Sequence, residues 1–346
     1  MQIYDPSNFM RFLQALPRQI TEAPDLLRDI DLTPLQTEYH SIVILGMGGS
    51  AIAGDLLFGY LRDELPIPIL VNRNYSLPAY VGPHSLVIGC SYSGNTEETL
   101  HGVQEAQKRG ASMVLISSGG KLMEFAHSEN LPHIRIPEGY PPRQALGYMF
   151  FSILHLFEQL KLISNKESEI RETVEILENM NHRFHPEETH GQNLPNHIAQ
   201  KLFNRIPLIY SACEDLYAVG FRWCTQLNEN AKTLAFHNNL PELNHNEIMG
   251  WEAPRKILQN LCVVFLRNNR ELSRNLTRVK ITRDILRKID VPIFEIFSEG
   301  ESRLARMFSL IDIGDWVSYY LASMYGKDPL VIDNINYLKE QLSQIE

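Results

Sequence analysis

The 346-residue sequence predicts an α/β protein built from parallel sheets covered by helices on both faces. Three observations carry that expectation. Short apolar runs without polar alternation recur from residue 41 onward, as strands buried on both faces require. Each is followed by a turn and then by a segment with apolar residues at helical spacing. The same alternation restarts after a polar stretch, and at roughly 150 residues per domain the length suits two such units in series.

Taken in order, residues 1–39 read as a peripheral helical segment, with Phe9, Phe12, Leu13 and Leu16 forming a stripe. Residues 41–45, 67–71, 85–90, 112–117 and 133–136 read as strands, and 51–61, 97–109 and 122–126 as the helices between them. Residues 144–160 are apolar on most sides and read as a buried helix that closes a first domain over 40–160. Residues 161–195 break the pattern and serve as a connector, with a charged helix over 166–180 and a polar stretch over 182–195. The second domain, 196–346, offers strands at 207–211, 233–236, 261–266 and 292–297. Two units of similar length and pattern suggest an internal duplication.

Composition narrows the function. The net charge is −9 and no Lys/Arg cluster stands out, which argues against a nucleic-acid partner. An anionic ligand must then be held by local donors rather than by the overall field. Cys90, Cys213, Cys224 and Cys262 form no metal-type or C-x-x-C spacing, as expected of free thiols in a reducing compartment. The start, Met-Gln-Ile-Tyr-Asp-Pro, has neither the basic residues nor the apolar core of a signal peptide, and the apolar run 148–157 is too short to span a bilayer. A cytoplasmic protein with no membrane partner is expected.

The segment Cys-Ser-Tyr-Ser-Gly-Asn-Thr-Glu-Glu-Thr, residues 90–99, lies between a strand and a helix. That order places Ser91, Ser93 and Thr96 where free backbone N–H groups and the positive end of a helix dipole point outward. Such a site suits an anion, above all phosphate. Asn95 and Glu98 have helix-capping spacing, which explains two of the polar residues but not Ser91 and Ser93.

Gly46-Met47-Gly48-Gly49-Ser50-Ala51 follows the first strand and satisfies the loose dinucleotide fingerprint G-x-G-x-x-A. The fingerprint also wants an acidic residue at the end of the next strand, where this chain has Asn72, Arg73 and Asn74. Arg73 could meet a 2′-phosphate, which keeps a nicotinamide cofactor in view. Alternatively the glycines only allow tight strand–helix packing, or their amides line a sugar pocket beside the phosphate turn. The last reading is preferred.

In the second half, Asn228-Glu229-Asn230-Ala231-Lys232 ends a helix-like segment that starts at Tyr217, and Asn244-His245-Asn246-Glu247 follows without clear periodicity. A Glu and a His in one pocket can divide proton chemistry, the carboxylate as base and the imidazole as acid near its own pKa. Spacing alone also allows a solvated Glu229 and a hydrogen-bonded structural His245. A metal site of His237, Glu242, His245 and Glu247 is conceivable but matches no known ligand spacing.

These motifs, together with Pro142-Arg143-Gln144-Ala145 and Leu338-Lys339, resemble the sugar isomerase (SIS) domain family and, within it, the bifunctional phosphoglucose/phosphomannose isomerases. The resemblance spans residues 40–340. It implies two SIS domains, each a five-stranded parallel sheet flanked by helices, and a homodimer with shared active sites. It implies that Ser91, Ser93 and Thr96 hold a sugar phosphate and that Gly49 and Ser50 line the sugar. Arg143 would stabilise charge near C1 and C2, and Glu229 would move the proton between them. His245, from the neighbouring subunit, would open the ring with help from Lys339. The implied reaction is cofactor-independent and metal-free: interconversion of glucose 6-phosphate, and of mannose 6-phosphate, with fructose 6-phosphate through a cis-enediol. Two competing readings are a non-catalytic phosphosugar-binding regulatory module, which needs the phosphate turn but not Glu229, Arg143 and His245 together, and an NADP-linked dehydrogenase.

Overall fold

The computed structural model describes residues 3–35, 38–188 and 193–344, and these form two units: 15–175, and 1–14 with 176–346. The division falls within a helix described below.

Short helices α1 (Met10–Gln14) and α2 (Leu16–Glu22) open the chain. The first sheet then forms from β1 (Ser41–Leu45), β2 (Ile69–Asn72), β3 (Ser85–Cys90), β4 (Ser112–Ser117) and β5 (His133–Arg135), in the order β2-β1-β3-β4-β5 with every pair parallel. Helices α3 (Gly48–Leu61), α4 (Glu97–Lys108), α5 (Gly120–Ser128) and α6 (Leu146–Gln159) cover it. Strand alternation divides the work between faces. Val43, Leu45, Val87 and Leu115 meet Val103 and Ala106 of α4 and Leu122 and Ala126 of α5. On the other face Gly54 of α3 comes so near Ile44 and Val71 that a Cβ there would lie 2.8 Å from the Val71 side chain. Each such apolar side chain, fully withdrawn from water, is worth about 1.5–3 kcal/mol.

Helix α7 (Glu167–Phe184) crosses from one unit to the other. The second unit continues with α8 (Leu194–Leu202), β6 (Ile206–Ser211), α9 (Tyr217–Ala231), β7 (Phe236–Asn239), α10 (Arg255–Leu258), β8 (Leu261–Arg267), α11 (Ser273–Arg287), β9 (Ile293–Phe297), α12 (Arg303–Met324) and α13 (Asp333–Leu342). Its sheet runs β7-β6-β8-β9, again all parallel. Among the described residues it has four strands, not the five that the resemblance implies. The four are those the apolar runs mark, with one displaced. The strand expected at 233–236 forms at Phe236–Asn239, because Lys232 ends α9 in the left-handed conformation and the chain needs three more residues to reach the edge of β6.

Leu208, Tyr210 and Ala212 lie over one face of this sheet, in a core with Leu243, Trp251 and residues of α11. Ile209 and Ser211 point to the other, where α9 passes so close that a Cβ on Gly220 would sit 2.5 Å from Ser211 Oγ. The N-terminal residues bind this unit from a great distance in sequence: Ser323 Oγ accepts from Tyr4 N at 2.7 Å, and Ser7 Oγ donates to Asp328 at 2.7 Å.

Candidate active site

In an open parallel sheet, ligands bind outside the carboxyl ends of the strands where the winding reverses. In the first unit that point lies between β1 and β3. The loops leaving those two strands are the glycine-rich turn and the hydroxyl turn. The structure therefore brings the two motifs together, although 40 residues separate Ser91 from Ala51.

The two turns are bonded to one another. Tyr92 N–H donates to Ser50 Oγ at 3.2 Å, and the Ser91 and Thr96 hydroxyls lie 2.8 Å apart. Thr96 is the N-cap of α4, yet its side chain makes no capping bond, so the hydroxyl is turned to Ser91 rather than spent on the helix. The expected capping by Asn95 is not what forms. Asn95 donates to Ser93 O and accepts from Lys121 N at 3.2 Å, which ties the turn to the start of α5. Ser93 is exposed, and its Oγ accepts from Asn95 N. Gly94, at φ 69°, fits under Gly119 O, where a Cβ would come within 1.8 Å.

Helix α3 begins at Gly48, not at residue 51, so Gly49 and Ser50 lie in its first turn with their amides at the positive end. Gly49 lies against the backbone of the 3-10 turn Pro142–Gln144, where a Cβ would come within 2.8 Å of the Arg143 Cα. Arg143 is 3% exposed. Gly49, Ser50, Ser91, Ser93, Thr96 and Arg143 thus belong to one neighbourhood. Arg73, the candidate partner for a 2′-phosphate, forms an ion pair with Asp55 instead. Cys90, at the end of β3, is fully buried, and burial pushes its thiol up to about 12, so it is no nucleophile at neutral pH.

In the second unit Glu229 sits near the end of α9, half-buried, and its neighbours are fixtures. Asn228 Oδ1 accepts from Ala235 N at 3.2 Å; Asn230 donates to Ser318 Oγ at 2.9 Å; the Lys232 ammonium donates to Asp328 O at 2.6 Å. Further back, the Arg222 guanidinium and the Gln226 amide both donate to buried Asp315 of α12, at 2.6 and 2.9 Å. Trp223 Nε1 donates to Leu310 O at 2.8 Å and packs on Gly314, where a Cβ would have no room. This seam fixes the rotation of α9 against α12.

His245 is exposed, on a 3-10 turn, Glu242–His245, that follows β7. That segment lies over the Tyr210 face of the sheet, whereas α9 lies over the Ser211 face. Asn228 is bonded just ahead of β7, while His245 comes after its far end. Glu229 and His245 of one chain are therefore on opposite sides of the sheet. Lys339 is exposed on α13, which buries none of its own side chains.

The conceivable metal site does not assemble. Among the described residues no three His, Cys, Asp or Glu side chains are grouped to hold an ion. His237 bonds Ser211 Oγ at 3.0 Å, Glu242 accepts from Asn246, and Glu247 accepts from Tyr210 and Asn238. Sequence reasoning gave no role to Tyr210, Asn238, Asp315 or Arg222. Only the strand register and the α9–α12 seam reveal what they touch.

A doubly wound α/β unit with a hydroxyl turn at its switch point, followed by a second unit wound in the same order, defines a protein with two SIS domains. The SIS domain profile matches residues 37–157, and that of the bacterial phospho-glucose isomerase C-terminal SIS domain matches residues 191–342. The chain belongs to the bifunctional phosphoglucose/phosphomannose isomerase family. A protein of that name from Caldicellulosiruptor bescii is 43% identical over 96% of this chain and 98% of its own length. Another from Aquifex aeolicus is 37% identical over 91% of this chain and 92% of its own. A solved hypothetical protein from Thermus thermophilus shares the fold with a TM-score of 0.78 at 15% identity, over 98% of this chain and 91% of that one. No helix among the described residues is long and apolar enough to cross a membrane.

Proposed function

We propose that the protein is a cofactor-independent aldose–ketose isomerase that interconverts fructose 6-phosphate with glucose 6-phosphate and mannose 6-phosphate. The observation that carries this reading is the assembled first-unit site, with Ser50, Ser91 and Thr96 bonded around one switch point and Arg143 set against Gly49. Membership of a family whose relatives are named for both activities supports the substrates. The four cysteines are free and buried, in keeping with a reducing cytoplasm.

In this mechanism Ser91, Ser93, Thr96 and the amide end of α4 hold the phosphate. That remote binding energy fixes C1 and C2 for reaction. Glu229 takes the proton from one carbon and returns it to the other. Arg143, always charged, stabilises the enediolate oxygen that develops between the two steps. The enediol is planar, so return of the proton to either face of C2 yields the glucose or the mannose epimer. His245 opens the sugar ring, assisted by Lys339.

Glu229 and His245 lie on opposite sides of the second sheet, so one site can use both only if two copies of the chain contribute. A homodimer with shared sites follows from that reading. The apolar face of α13 supports it: Ile335, Leu338 and Leu342 share one side of the helix and are exposed in the single chain, beside Lys339.

The deciding experiment supplies fructose 6-phosphate with no cofactor and with a chelator, and measures the aldose phosphates formed. Turnover is expected from the wild type and none from Glu229→Gln, with phosphosugar binding retained within about threefold, since the carboxamide keeps the shape of the side chain but cannot act as base. Absence of turnover in the wild type would leave the regulatory-module reading. Turnover in Glu229→Gln would move the base elsewhere.

A further inference from the structure

In the stretch Asn244-His245-Asn246-Glu247 every residue but the histidine is engaged in holding the stretch itself. Asn244 donates to Thr282 Oγ1 of α11 at 2.9 Å and accepts from Arg278. Asn246 accepts from Glu247 N at 2.6 Å and donates to Glu242 at 2.8 Å. Glu247 receives two bonds from the sheet: the Tyr210 hydroxyl donates to one carboxylate oxygen, and Asn238 Nδ2 donates to the other at 2.6 Å. Tyr210 and Asn238 are register partners on β6 and β7, so their side chains leave the same face side by side.

We infer that the Tyr210–Glu247–Asn238 clamp is a positioning device for His245, seating the turn that carries the imidazole against the rigid centre of the second sheet. The inference rests on the reading of His245 as the ring-opening residue. Tyr210 is 1% exposed and bonded within the core, so it cannot follow a drifting loop. A carboxylate offers two oxygens held at a fixed angle, and here each takes one donor. A clamp on both oxygens fixes the position and the tilt of Glu247, and the short chain between it and His245 leaves little slack. Glu247 and Tyr210 act through His245 and touch no substrate themselves.

The test is a double-mutant cycle on fructose 6-phosphate turnover. Tyr210→Phe deletes only the hydroxyl; Asn238→Ala deletes the other donor and serves should Tyr210→Phe fail to fold. In the wild-type background each is expected to lower kcat by about tenfold while leaving KM within about twofold, because orientation and not binding is lost. In the His245→Ala background the same substitutions are expected to change kcat by less than about twofold, since nothing remains to be positioned. Equal losses in both backgrounds, or no loss in either, would overturn the clamp while leaving the ring-opening role intact. A His245→Ala protein with wild-type kcat would instead overturn that role, and the clamp with it.

Discussion

The backbone of Gly49 lies against that of Arg143, so close that a Cβ on Gly49 would stand 2.8 Å from both the Arg143 Cα and its N. A contact that short involves backbone on both sides, and neither can rotate away as a flexible side-chain tip would.

Gly49→Ala should therefore push the Pro142–Gln144 turn and displace the Arg143 guanidinium. Turnover is expected to fall by about a hundredfold, the scale of a misplacement near 1 Å. Gly82→Ala is the matched control, since its Cβ would meet nothing closer than Arg109 O at 3.9 Å. Equal kinetics for the two variants would show that Arg143 is not held from this side.

The Ser91 and Thr96 hydroxyls lie 2.8 Å apart and bond each other. Ser91→Ala should remove one bond to a charged phosphate, worth about 1.5–3 kcal/mol, and lower kcat/KM by roughly ten- to a hundredfold. Inhibition by inorganic phosphate should weaken in parallel. A loss of kcat/KM with unchanged phosphate inhibition would place the phosphate elsewhere.

A shared site can be tested by mixing an inactive protein, Glu229→Gln, with an impaired one, His245→Ala. In a dimer of Glu229→Gln with His245→Ala, one site receives both defects and the other receives neither. Random exchange of subunits should restore about a quarter of wild-type activity, because half of the dimers are hybrids with one good site each. If the mixture rises no higher than His245→Ala alone after exchange has been verified by sedimentation of tagged subunits, both residues come from one chain or neither is shared.

His237 offers a stability test. Burial pushes its imidazole down to about 4, while the unfolded chain titrates near the ordinary value of 6.5. Between those values the unfolded state binds more protons, so stability is full above pH 6.5 and is lost as pH falls toward 4, by up to about 3 kcal/mol. His237→Gln should flatten that part of the profile, measured as urea midpoints at pH 7.5 and 5. An unchanged difference between the two pH values would assign the acid sensitivity to other groups.

The apolar runs predict eight of the nine strands among the described residues to within two residues of where they form, since a strand buried on both faces leaves no polar alternation to misread. The strand at Phe236–Asn239 is harder to place: its sequence is Phe-His-Asn-Asn, and only pairing with β6 makes it a strand. The capping expectation for Asn95 failed for a related reason. An Asn can satisfy its bonds locally or across space, and α5 offered the second partner.

Read alone, the sequence marks the pair of parallel-sheet units and the hydroxyl turn at a helix start. These follow from local patterning and from side-chain chemistry, which need no partner. The tertiary structure alone decided which residues keep company. It joined Ser50 to Tyr92 and Gly49 to Arg143, paired Arg73 with Asp55, and set Glu229 and His245 on opposite sides of one sheet. Strand order and face are properties of long-range pairing, and a one-residue shift in register alone exchanges the two faces.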